Sequence, residues 1–89
     1  MATVHVTPNL QRHVVTETAE VCGDTVAEVL QDYFEKFPTL RGYVLEDAGA
    51  LRKHMTVFVD GVAIRDRQNL SDPVPANGEL FIMQALSGG

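Results

Sequence analysis

The groups most able to do chemistry in this 89-residue sequence stand at its end, where Ala85, Leu86 and Ser87 run into Gly88 and Gly89. A terminal α-carboxyl has an ordinary pKa of about 3.3–3.7, so on Gly89 it is ionised at neutral pH and nucleophilic without a general base. Two residues without Cβ let the backbone pass down a narrow channel and adopt torsions closed to other residues. A chance ending on a frayed terminus, or a remnant of cloning, would read the same in isolation. The other reactive side chains form no pattern. His5, His13 and His54 lack metal-ligand spacing, and Cys22 has no CxxC partner, so no metal site is expected. Cys22, in "TAEVCGDT", reads as a small packing residue at the end of a strand. No GxxxxGK[ST] or GxGxxG loop is present, so no nucleotide site is expected on this chain. Ser71 and Ser87 have no general base in a recognisable arrangement, and Arg65 and Arg67 beside Asp66 read as a solvated mixed-charge loop. No catalytic machinery of the chain's own is expected.

Length and charge narrow the choice. Eighty-nine residues support one modest core and no separate nucleotide and substrate lobes. With 45% hydrophobic and 21% charged residues the chain should fold. Its net charge of -5 argues against nucleic acid as the main partner, which demands clustered Lys and Arg. No apolar run is long enough for a membrane span, and "MATVHVTPNL" lacks the features of a signal peptide. A cytoplasmic, monomeric protein is the expectation, and the single cysteine suits a reducing compartment.

The elements that must present the end follow from periodicity. "TVHVT" alternates, Val4 and Val6 on one face and Thr3, His5 and Thr7 on the other, which predicts a half-buried strand. "ETAEVCG" reads as a second strand closed by Gly23 and Asp24. In "DTVAEVLQDYFEKFP" the residues Val26, Val29, Leu30, Phe34 and Phe37 recur at spacings of three and four, an amphipathic helix. Thr25 and Glu28 are placed to form a capping box at its start, and Pro38 forbids continuation beyond Phe37. Residues 39–53 read as a loosely ordered connection with one helical turn. "HMTVFVDGVAIRD" is a hairpin about a type I′ turn at Asp60-Gly61. "NLSDPVPANGE" is a turn-rich crossing with Leu70 and Val74 as core plugs, and "ELFIMQAL" is a last strand apolar on both faces.

Two hairpins around one main helix imply an α+β fold: a mixed sheet of four to five strands with the helix on one side, first and last strands parallel in the middle. This is a β-grasp arrangement, with residues 1–86 as the domain and 87–89 as a flexible tail. Only one face of the last strand can meet the helix. Leu80 and Ile82 take that face, which leaves Phe81 and Met83 on the other, together with Phe58. Either residues 39–53 cover them or they form an exposed patch for a protein partner.

The whole chain resembles the ubiquitin-like sulfur carrier proteins, the family of the molybdopterin synthase small subunit and the thiamine-pathway sulfur carrier. "TVFVDGVAI" is similar to the family's central hairpin and "NGELFIMQALSGG" to its "GDEV-I-PA-SGG" ending. "LEDAGALRKHMTVFVDG" is most similar to the branch that supplies sulfur for cysteine synthesis. Gln84 departs from the pattern, since many relatives have a proline before the alanine. The resemblance implies that the Gly89 carboxylate attacks the α-phosphate of ATP inside a separate ubiquitin-activating-like enzyme. A sulfide or persulfide donor would convert the resulting acyl adenylate to a thiocarboxylate, for delivery to a sulfur-accepting enzyme. Leu86 would be the last anchored apolar residue, Ser87 a small hinge and Gly88 the companion of Gly89 in the channel. Two alternatives stay open: a protein modifier that acylates lysines through the same end, and an interaction domain with an inert tail.

Overall fold

The computed structural model describes residues 1–6 and 18–84. Five strands form one mixed sheet: β1 (Ala2–Val6), β2 (Ala19–Val21), β3 (Met55–Val59), β4 (Val62–Ala63) and β5 (Glu79–Gln84). Their spatial order is β2-β1-β5-β3-β4. β1 and β5 run parallel at the centre and every other pairing is antiparallel. Helices α1 (Val26–Lys36) and α2 (Pro38–Val44) complete the described elements. This is the α+β, β-grasp layout expected from the sequence.

Alternation along the strands decides what is buried. Val4, Val6, Val57, Leu80 and Ile82 are all buried and meet Val26, Val29, Leu30 and Phe34 from α1. Tyr33, left out of the apolar arc read from the sequence, is 0% exposed, and its ring lies 5.0 Å from that of Phe37. Leu70 and Val74 plug the core as anticipated. Leu70 does so at a φ of 56°, a left-handed conformation uncommon for a branched side chain.

The start of α1 accounts for its unpaired amides one by one. Val26 N–H donates to Asp72 O, Ala27 N–H to Leu70 O and Glu28 N–H to Thr25 Oγ1. The Glu28 carboxylate reaches one residue past the cap and accepts from Asp24 N–H at 2.8 Å, a variation on the reciprocal box. Gly23 allows this close approach: at φ 154° an added Cβ would stand 2.6 Å from Val29 N.

Three readings of the sequence need correction. Where the connection is expected, Pro38–Val44 is a helix of seven residues, with Pro38 in its first turn, where its missing N–H costs nothing. Leu40, Val44, Leu45 and Leu51 from residues 39–53 join the core. Cys22 is exposed, because Val21 occupies the inward position beside it and alternation turns the next residue out. Arg67 is structural and not merely solvated: its Nη2 donates to Met55 O at 2.7 Å and Arg52 O at 2.8 Å, tying the loop to the start of β3.

Candidate docking face and carboxyl end

Among the described residues, the helices cover one face of the sheet. The pairing register sets out the residues of the other face in rows. His5 of β1 is level with Phe81 of β5, Phe81 with Phe58 of β3, and Phe58 with Ala63 of β4. One row on, towards the end of β5, Met83 faces Thr56. Phe81 is 39% exposed and Met83 40% exposed, whereas Leu80 and Ile82 on the same strand are 0% exposed. Phe58 is half-buried. Phe58, Phe81 and Met83 therefore come together as the sequence implied, and residues 39–53 leave Phe81 and Met83 exposed while Leu40, Val44, Leu45 and Leu51 of that segment enter the core.

A histidine completes the centre of this face. The His5 ring lies over Phe81 with centroids 4.5 Å apart and planes 12° from parallel. Its Nε2 is 2.8 Å from Glu79 Oε1. An ionised carboxylate only accepts, so Nε2 carries the proton in this bond. Stacking and the hydrogen bond together restrict the exposed Phe81 ring. The outward position of His5 was legible in the alternation of β1. Its contact with Phe81 was not, because the parallel register joins residues 76 positions apart.

Met55 at the start of β3 pairs with Gln84, the last described residue. β5 thus ends at the edge of the sheet opposite the Asp60–Gly61 turn, where both residues have positive φ, 49° and 86°, as a type I′ turn requires. Leu86, Ser87, Gly88 and Gly89 lie outside the described residues. Among the described residues no group of three His, Cys, Asp or Glu side chains is placed to hold a metal ion, and no helix is long and apolar enough to cross a membrane.

Solved structures share this architecture over the full length. A chain of the BexX/CysO complex from Amycolatopsis orientalis matches with a TM-score of 0.83 at 23% identity, covering 100% of both chains. SAMP1 from Haloferax volcanii matches with 0.78 at 27% identity, over 99% of this chain and 98% of that one. CysO from Mycobacterium tuberculosis matches with 0.81 at 18% identity, over 97% and 100%. No protein-family model and no curated protein matches the chain. The likeness first read in the sequence thus extends to three dimensions, and the chain has the β-grasp fold of the ubiquitin-like proteins that CysO and SAMP1 represent.

Proposed function

We propose that the chain is a sulfur carrier whose Gly89 carboxylate is activated and loaded by a partner enzyme. A carboxylate oxygen attacks the α-phosphorus of ATP bound by the partner, pyrophosphate leaves, and an acyl adenylate forms. Hydrosulfide then attacks the acyl carbon, AMP leaves, and the terminus becomes a thiocarboxylate ready for a sulfur-accepting enzyme. No cofactor is bound by the carrier in this scheme; its own contribution is to dock and to deliver an unbranched end. The observation that carries the reading is the two-faced last strand. Leu80 and Ile82 fix β5 in the core, while Phe81 and Met83 stay exposed on the strand that leads to Gly88 and Gly89. Phe58, Phe81 and Met83 are the proposed anchor for the adenylating partner.

Mass spectrometry of the intact chain tests the proposal. The chain is incubated with ATP, sulfide and an adenylating enzyme from the same genome, chosen because its ATP–pyrophosphate exchange depends on this chain. Exchange of one oxygen for sulfur at the terminus is expected, and deletion of Gly89 should abolish it. A lysine adduct in its place would make the chain a modifier, the role that names the archaeal protein among its structural neighbours. An unchanged mass would leave an interaction domain.

A further inference from the structure

The row of the open face next to the aromatic one, on the side of the Asp60–Gly61 turn, is acidic. Thr3 pairs with Glu20 of β2 on one side and with Glu79 of β5 on the other. Glu79 and Asp60 are joined in turn: Asp60 N–H donates to Glu79 O, and Glu79 N–H donates to Asp60 Oδ1, each at 2.9 Å. Glu20, Glu79 and Asp60 are all exposed. Their row runs across three inter-strand spacings, about 14 Å, and stands two residues, about 7 Å, from the row of His5, Phe81 and Phe58. None of the described strand residues on this face is Lys or Arg. The His5 ring bridges the two rows, stacked on Phe81 and hydrogen-bonded to Glu79.

Resting on the docking reading above, we infer that this face takes a partner surface in which Lys or Arg side chains stand beside an apolar patch. The cations face Glu20, Glu79 and Asp60, and the apolar groups cover Phe58, Phe81 and Met83. Charge complementarity selects this occupant, because a neutral or acidic surface closing on the apolar row would strip water from three carboxylates and bring no cation to offset it. A guanidinium at the junction of the rows gains twice, from the Glu79 carboxylate and from the face of the aromatic pair. The arrangement is also polar along the strand. The carboxylates gather at the turn end of the sheet and β5 ends at the opposite edge, so the charge contact fixes which way the strand lies across the partner and hence where its carboxyl end points.

The test measures association with the adenylating enzyme defined above, by stopped flow, at low ionic strength and at about 1 M salt, where the screening length is about 3 Å. The Glu20→Gln/Glu79→Gln variant should associate about three- to tenfold more slowly than the parent at low salt, with the difference lost at high salt. Glu35→Gln/Glu46→Gln removes the same charge from exposed positions of α1 and the segment after α2, and should change the rate less than twofold. Equal effects of the two pairs would overturn the inference, since total charge alone would then act. Thermal melts verify that each variant is folded. Phe81→Glu separates this inference from the reading beneath it: undiminished binding by that variant removes the docking face itself, whereas its loss, with the acidic pair silent, removes only the cationic partner. A dimer seen in sedimentation at high protein concentration and abolished by Phe81→Glu would name a second copy as the occupant and would also overturn the inference.

Discussion

Adjacent side chains on β5 serve opposite ends. Leu80 and Ile82 are 0% exposed and bind the central strand to α1, whereas Phe81 and Met83, on the same five-stranded sheet, remain about two-fifths exposed. Burial of large apolar groups explains the first pair without any appeal to function. It does not explain the second, an aromatic row with His5 stacked on Phe81, which is the surface proposed for docking. If the docking proposal holds, stability and docking are divided between the faces of one strand, so substitutions should separate them.

The largest separation is expected between Ile82→Ala and Phe81→Ala. The first leaves a cavity among Val6, Val57 and the helix layer and should cost about 2–5 kcal/mol in urea denaturation. The second removes a ring already in contact with water and should cost about 1 kcal/mol or less, while weakening association with the adenylating enzyme. Similar stability losses for the two would abolish the contrast. Gly23→Ala sharpens the helix-side half of it. A Cβ placed 2.6 Å from Val29 N, on a backbone at φ 154°, must push the first turn of α1 away from β2, at a cost of about 1–3 kcal/mol with docking unaffected in the folded fraction. Arg67→Met comes next. Loss of the guanidinium removes the Arg67 donor from Met55 O and leaves Arg52 O with Met55 N–H alone, and should cost about 1–2 kcal/mol, read as a lower urea midpoint.

Much of this layout is legible in the sequence where a period is sustained. β1, α1, the Asp60-Gly61 hairpin and β5 all announce themselves through alternation, helical spacing or a turn that demands positive φ. Pro38–Val44 does not, because seven residues containing Thr39 and Gly42 offer one i, i+4 pair, Leu40 and Val44, too short for a period to emerge. Cys22 was misplaced for a related reason: with three residues in β2, the inward phase rests on Val21 alone. Tyr33 has a polar hydroxyl at the edge of an apolar arc, and only the packing of Phe34 and Phe37 around it reveals its place in the core. At the proposed docking face, alternation gave Phe58, Phe81 and Met83. The acidic row required register, since Glu20, Glu79 and Asp60 meet through β1 and a turn and are scattered in the chain.

Acid provides the gentlest way to separate the two sides of the molecule, through the loop that closes the helix layer. Asp66 accepts from the Ser71 hydroxyl and from the amides of Asn69, Gln68 and Ser71, and these bonds hold its pKa below the ordinary 3.8, with the Ser71 hydroxyl contributing most. Asp72 is lowered likewise by the amides of Arg65 and Asp66. A carboxylate with a depressed folded-state pKa stabilises the fold fully above its unfolded value and loses that contribution as pH falls through the lower folded value. The urea midpoint should therefore be insensitive to these groups near neutrality and decline as pH drops below about 4. Asp66→Asn/Asp72→Asn should lower the midpoint modestly at pH 7 and flatten the acid decline, because the groups that would have taken up protons are gone. The same loop supplies Leu70 O and Asp72 O to the first amides of α1, so its loosening acts on the helix side of the sheet. An acid decline unchanged in the double variant would move its origin to other carboxylates and remove this loop from the helix-side account.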